Sequence, residues 1–529
     1  VNGSITGNVA VGSGGTLGGT GTIAGNVAMI GNLAPGNSIG TLTVNGNYAQ
    51  SVGSTYTVEV NAAGQSDKLN VTGGAAIAGG TVAVQAQSGR YARNTSYTIL
   101  TANAGVIGTY SGVTSNFAFL TPSLSYDANN VYLSLFLNQS AFATGAQTLN
   151  QFAVGTVLDQ TWASATGNFA TVLSALSALT NQQGPQALNQ ISGQPYADFG
   201  TVNVQGSTLF MNAVGQQLAG FRGGATGGGQ RQALAEACDG NACQAAPGPW
   251  GTWVSGLGGF GNVLGNTNSQ TLTYNFIGTA AGIDYRFTPN VLLGIAAGYT
   301  YGQQWVDSFF GKGWSNTVNV TAYGSFTLDG FYADALAGYA YSNNQLQRQI
   351  FIPGLQPMTA NGSTGANQFL GQVETGYRIG MFAPAATTVT PFARLQVASV
   401  NQAAFSEWGA SSLSLNVAQQ TTNSLRTTFG ADLGTAIGLG NQRTLDMGVR
   451  VGWLHEYADT GRPMTAAFAG APANGFTVYG ATPQRDSAVI GLRASSYVAD
   501  ATQLYFRYDG ELGGGSDNHV FNVGVRLSW

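Results

Sequence analysis

The chain has 529 residues, a net charge of −4, only 8% charged residues and 78 glycines, so it is too long for one ordinary domain. Globular chains carry about 25% charge; here glycine and small polar residues fill the gap, a profile that suits short strands and stacked repeats and argues against a helical soluble enzyme. No basic cluster is present, which argues against a nucleic-acid partner. No apolar run reaches the roughly 18 residues of a spanning helix, so any membrane-crossing elements have to be strands closed into a barrel.

Residues 1–138 have the texture of a β-solenoid. The chain opens on Val1-Asn2-Gly3 in mid-pattern, without a charged n-region or apolar h-region, as expected of a piece of a longer chain. Gly7-Asn8-Val9 recurs as Gly25-Asn26-Val27 and, more loosely, as Gly46-Asn47-Tyr48. Short apolar alternations (41–44, 56–60, 81–84) lie between Gly, Asn and Ser turns. One such rung cannot bury its inner face alone, and stacking supplies the core.

Residues 139–248 read as a helical linker. Leu149, Phe152, Ala153, Thr156 and Val157 recur at helical spacing, as do Phe169, Val172, Leu173, Leu176 and Leu179. Gly184-Pro185 marks a break, and a last helix is predicted from about Gly206 to Arg222. A small helical domain is the alternative for part of this stretch. Cys238 and Cys243, the two cysteines of the chain, form a candidate disulfide of the kind an oxidising compartment permits; a metal site would need more ligands than are nearby.

Residues 249–529 show twelve alternating segments, near 250–262, 273–287, 290–306, 314–328, 331–343, 367–380, 389–401, 423–437, 443–457, 485–498, 502–512 and 519–529. Twelve is an even number, as single-chain outer-membrane barrels require. Tight joins follow the second, fourth and tenth segments; long joins are predicted near 344–366, 402–422 and 458–484. Short turns on one rim and long loops on the other are the pattern of a transmembrane barrel. Charges fall on the face opposite the apolar one, giving the lumen-facing candidates Asp284, Arg286, Asp334, Glu374, Arg378, Arg394, Arg426, Asp432, Asp446, Arg450, Arg493, Arg507, Asp509, Glu511 and Arg526. A charge facing lipid at mid-membrane costs about 2–4 kcal/mol, which explains the sorting. The pattern leaves a plugged lumen and a narrow open channel equally open.

The last segment places Phe521, Val523, Val525, Leu527 and Trp529 on one face and ends on an aromatic residue. This resembles the carboxyl-terminal assembly signal of outer-membrane barrels. Leu33-Ala34-Pro35-Gly36-Asn37-Ser38 and Ser66-Asp67-Lys68-Leu69-Asn70-Val71 are similar to the end of autotransporter passengers, the autochaperone region. In order of parts the chain resembles a classical monomeric, pertactin-like autotransporter: mainly all-β, with an N-terminal solenoid end, a helical linker and a C-terminal twelve-stranded antiparallel transmembrane β-barrel.

The resemblance implies a translocation unit in the bacterial outer membrane that exports or displays its own passenger at the cell surface. It implies a pore segment within 206–248, a monomeric barrel in outer-membrane lipid, and the barrel-assembly machinery and periplasmic chaperones as partners. A porin-like channel, or an adhesive surface protein in its own right, is the alternative. No cofactor or metal is expected, and no enzymatic function. His455 and His519 are far apart in sequence and read as rim residues; no nucleophile elbow, zinc helix or phosphate loop occurs. The paired asparagines of self-cleaving relatives are missing, leaving Asn241 a weak candidate.

Overall fold

The computed structural model describes residues 1–87, 89, 91–222, 248–382, 387–440, 443–499 and 501–529. From Ser4 to Ser115, parallel strands stack into three sheets that run through successive rungs. The Gly-Asn repeat has a direct cause. The amide N–H of Asn26 donates to Asn8 Oδ1 (2.8 Å), that of Asn47 to Asn26 Oδ1 (2.8 Å), and that of Gly74 to Asn47 Oδ1 (2.9 Å). This asparagine ladder fixes the corner of each rung, so that Val9, Val27 and Tyr48 stack in register. Tyr56, Val58, Leu69, Val71 and Val82 fill the interior. The hairpin Thr121–Tyr126 and Asn130–Phe136 closes one edge with antiparallel pairing.

Asp67 ties neighbouring rungs together, accepting the amide protons of Gly40 (2.9 Å) and Glu59 (2.8 Å). Burial pushes its carboxyl up to about 6, against the pull of those two amides. A carboxyl that binds its proton more tightly in the folded state stabilises the fold at low pH. That contribution is complete below about 4 and is lost as pH rises through about 6. Thermal unfolding of the solenoid, followed by circular dichroism on the full chain, should therefore show this group's stabilisation falling between pH 4 and 7. Asp67→Asn, which loses one acceptor, should lower the midpoint and remove this step of the pH dependence. An unchanged slope in the variant refutes the assignment.

Five helices follow: α1 (Ala141–Thr144), α2 (Leu149–Thr161), α3 (Gly167–Ser177), α4 (Gln183–Ser192) and α5 (Gln194–Phe221). Helix α4 starts before the Gly184-Pro185 pair, because proline is tolerated in a first turn, where its missing N–H has no helical partner. The first four helices pack against the solenoid end: the amide of Ala118 donates to Leu179 O (2.8 Å) and that of Asn181 to Asn116 O (2.9 Å).

Twelve antiparallel strands then close into a barrel. They are Trp250–Val263, Leu272–Thr288, Val291–Val306, Phe310–Leu328, Phe331–Ile350, Met358–Tyr377, Thr387–Gln402, Gln420–Gly440, Arg443–Glu456, Asp486–Ala499, Thr502–Leu512 and Ser516–Ser528. The last strand pairs with the first from Gly251↔Ser528 to Val263↔Ser516, which closes the ring. Outward residues such as Val254, Ile277, Ile295, Val320, Phe369, Val451 and Val523 are exposed, while inward ones such as Trp253, Tyr274 and Leu336 are buried. A continuous apolar exterior of this kind is a lipid-facing wall, not the surface of a soluble monomer. Trp250, Tyr285 and Phe287 pack edge to face at the short-turn rim, where an aromatic girdle belongs.

Two features differ from the sequence reading. The join predicted at 344–366 is only residues 351–357, because both flanking strands run on past the apolar band to Ile350 and from Met358. The other two long loops are not featureless. Phe405–Ser406, Leu415–Val417, Pro463–Phe468 and Gly475–Tyr479 pair into a four-stranded sheet over the long-loop mouth.

Candidate functional site

The site is the barrel lumen, and helix α5 fills it. The helix has 28 residues, 25 of them buried, and spans about 42 Å at 1.5 Å per residue, long enough to thread the barrel. It begins twelve positions before the predicted Gly206 start. Gly200, Gly206 and polar residues on every face had hidden its first turns. The part of the predicted 206–248 pore segment from 223 to 247, with Cys238, Cys243 and Asn241, lies outside the described residues.

Gly193 turns the chain from α4 into the barrel. Its φ of +76° belongs to the left-handed region, and a Cβ there would come within 2.5 Å of a Leu415 methyl. A bulkier residue is excluded on both counts.

Inside, α5 is held by polar contacts along most of its length. Gln304 Nε2 donates to Pro195 O (2.8 Å) and the Ala481 amide to Asp198 Oδ1 (2.7 Å). Arg462 Nε donates to Thr201 Oγ1 (3.1 Å), Ser207 Oγ to Gln368 Oε1 (2.7 Å), and Arg507 Nη1 to Gln216 Oε1 (3.1 Å). Between these, Val202, Leu209, Phe210, Val214 and Leu218 pack with Trp253, Leu257, Leu336 and Leu370. Gly298 leaves room for the Phe210 ring, which a Cβ would meet at 2.6 Å.

The charged candidates sort into clusters around the wall. At the short-turn end, Glu374 is the hub. It accepts from Arg394 Nε (2.7 Å) and from both Arg450 amino groups (3.1 and 3.0 Å), lies 3.5 Å from Arg222, and accepts from the Tyr332 hydroxyl (2.9 Å). Asp432 holds Arg450 from the other side (2.9 and 2.7 Å), Asp334 pairs with Arg222 (3.1 Å), and Arg378 donates to Arg222 O (2.6 Å). Asp284 pairs with Arg526, and Arg286 lies 4.9 Å over the Phe221 ring. Asp509 takes both Nε and Nη2 of Arg507 (2.5 and 2.7 Å). Nearer the long-loop end, Arg426 bridges Glu456 (3.2 Å) and Glu511 (3.4 Å). Arg493 lies on the wall beside Asp432, and half-buried Asp446 is already engaged.

Three contributors escaped sequence reasoning. Arg222, at the end of α5, enters the Glu374 hub from the plug. Arg348 and Glu407 form a fully buried pair (2.5 Å) whose guanidinium also donates to Gln190 O (2.8 Å), tying the fifth strand to the loop sheet and α4. Only the Glu407 side of that pair sits in a long loop. Phe521, Val523, Val525, Leu527 and Trp529 all lie exposed on the outer wall, and the Trp529 backbone pairs with Trp250 (3.0 and 3.1 Å). His455 contacts Asp486 at 2.7 Å on the exposed rim, and His519 contacts the Tyr508 hydroxyl.

A closed barrel with a lipid-facing exterior, threaded by a helix that joins a surface solenoid to the first strand, defines an outer-membrane translocator. Residues 252–509 match the family model "Autotransporter beta-domain". Residues 252–509 are therefore an autotransporter beta-domain, and the chain resides in the outer membrane with its N-terminal region outside. An extracellular serine protease of Serratia marcescens is 25% identical over 100% of this chain and 53% of its own length. The chain thus spans about half the length of that curated relative. Esterase EstA of Pseudomonas aeruginosa is 25% identical over 53% of this chain and 43% of its own. Among solved structures, the translocator domain of NalP from Neisseria meningitidis gives a TM-score of 0.42 at 16% identity, covering 57% of this chain and 94% of that one. The beta domain of the Bordetella autotransporter BrkA gives 0.40 at 16% identity, covering 53% and 100%.

Proposed function

We propose that the chain is an export-and-display unit: the barrel anchors it, α5 occupies the pore after transport, and the solenoid stands on the cell surface as passenger. The observation that carries this reading is the path of the chain. It runs from the solenoid, on the long-loop side, through the lumen along α5 to Arg222 at the short-turn rim, where the first strand begins. An open porin would leave that lumen free. The proposed role of this stretch is display without chemistry of its own; the protease and esterase named among its relatives are those proteins' activities.

The test is an epitope at the N-terminus of the chain expressed in a Gram-negative host. Protease added to intact cells should remove the epitope and leave a heat-modifiable barrel fragment. Epitope that becomes accessible only after lysis overturns the proposal.

Assembly is proposed to depend on the exposed face of the last strand, read by the barrel-assembly machinery, with periplasmic chaperones delivering a monomeric chain. Trp529→Ser should cut the heat-modifiable, membrane-inserted fraction several-fold at equal synthesis. Full insertion of that variant defeats the signal reading while leaving the barrel intact. The solenoid end, residues 33–138, is proposed to nucleate passenger folding outside, where burial of its core biases transport outward. Deleting it should leave the remaining passenger protease-sensitive.

A further inference from the structure

Each of the second to eighth barrel strands carries an outward amide just beyond its apolar stretch, on the long-loop side. Asn275 pairs with Gln303, Asn316 with Asn343 and Asn367 with Asn401, and Asn423 lies opposite Ser399. The preceding outward residues on these strands include Ile277, Val318, Tyr341, Phe369 and Leu425, the upper edge of the lipid-facing wall. We propose that this amide collar docks the sugar headgroup of an outer-leaflet glycolipid, whose acyl chains rest on the apolar wall beneath. The proposal needs only the orientation of the barrel and does not depend on export of a passenger.

The chemistry of the collar is the first support. Hydroxyls on the outer wall hold the amides in place: Tyr299 donates to Asn316 Oδ1 (2.6 Å), Tyr339 to Asn367 Oδ1 (2.5 Å) and Ser399 to Asn423 Oδ1 (2.8 Å). With the carbonyl oxygen engaged, the NH2 group is what each amide offers to a neighbour. The collar is thus a row of neutral donors suited to the hydroxyl, ring and carbonyl oxygens of a sugar. Phosphate recognition would call for arginine or lysine. Among the described outward positions of these strands beyond the apolar stretch, Lys312 is the one charged residue. Carboxylates that would repel an anionic glycolipid lie on the other side of the barrel, at Asp486 and Asp517 on the tenth and twelfth strands.

Position and depth are the second support. At the short-turn end no Asn or Gln faces outward from the described residues of these strands; Tyr285, Leu293, Phe326, Phe331 and Tyr377 stand there instead. The two ends differ as two leaflets with unlike headgroups require. On the fifth strand Gln345, Gln347 and Gln349 continue the neutral face beyond Asn343. That face runs about 20 Å along the strand at about 3.3 Å per residue, or about 15 Å along the axis at a tilt of about 40°. A phospholipid headgroup layer is only about 5–8 Å deep. A surface open to bulk water at that height would carry mixed charge. A thick, neutral, hydrogen-bonding layer of several sugars fits both the height and the composition.

The test places the full chain in phosphatidylcholine vesicles, alone or doped with one of two glycolipids. One is rough lipopolysaccharide with its core sugars; the other is lipid A, which keeps the phosphates and acyl chains without the core. The thermal unfolding midpoint of the barrel should rise saturably with the core-bearing lipid and much less with lipid A. Asn316→Ala combined with Asn367→Ala should raise the half-saturating lipopolysaccharide content about ten-fold, as expected for the loss of two hydrogen-bonding groups. Lys312→Gln should leave the response intact. Equal increments from the two glycolipids overturn the proposal, as does an increment that survives the double substitution or is lost in Lys312→Gln. The comparison of lipids on the unaltered chain decides even if the double variant fails to fold.

Discussion

Replacing Glu374 with Gln should destabilise the folded barrel by about 3–5 kcal/mol, the cost of breaking a buried ion pair from one side. The reason is its position among three guanidiniums. Arg394, Arg450 and Arg222 all approach this one carboxylate, itself only 2% exposed. Glutamine keeps the shape but loses the charge, leaving those cations to Asp432 and Asp334 alone. Arg222 is also the point where the plug joins the hub, so the loss should be felt at the end of α5 as well. Heat-modifiable mobility should be lost at clearly lower temperature, and amides near Gly220 should exchange faster. Adding Arg450→Met should recover part of the loss, since removing both partners costs less than removing one. A single variant as stable as the parent would show that the cluster is solvated and the hub unimportant.

How much of this was legible in the sequence follows from the length scale of each signal. The barrel was readable because lipid outside and a polar lumen inside impose a strict alternation. Leu445 to Trp453 keeps it without a break, and Leu504 to Leu512 departs from it only at Gly510. The solenoid was readable because one asparagine per rung does the same job each time, so Gly-Asn repeats at the corner. Helix α5 was only half readable. A helix that contacts wall on all sides has no solvent face, so Gln194 to Gln205 lack the amphipathic period that marks ordinary helices. The loop sheet was not readable at all. Its strands are two to six residues long, and the pairing that joins its two halves, Leu415–Val417 with Pro463–Phe468, links two different loops. Nor could alternation say which lumenal acid meets which arginine. That depends on register across several strands, as in Glu374 to Arg450, and on Arg222 arriving from the plug.

Phe468→Ala should uncouple the surface part from the barrel while leaving the barrel assembled. Phe468 is fully buried in the loop sheet, with the Phe169 ring of α3 at 6.0 Å and Phe476 at 5.0 Å. It belongs to one continuous apolar core that runs from Leu17 in the solenoid through the helices to Met464 and Val478 in the loops. Truncating a buried phenylalanine costs about 3–5 kcal/mol in transfer and cavity energy. Here the cost falls on the contact between α3 and the loop sheet, because the barrel wall below has its own core around α5. Protease added to intact cells should then cut within residues 141–192 at least ten-fold faster than in the parent. The heat-modifiable barrel band should not change. If instead the barrel also melts earlier, the two cores unfold as one unit, and the passenger is part of the barrel's stability instead of a load it carries. Unchanged cleavage would mean that Arg348, Glu407 and the Gln190 carbonyl hold the junction without the aromatic contact.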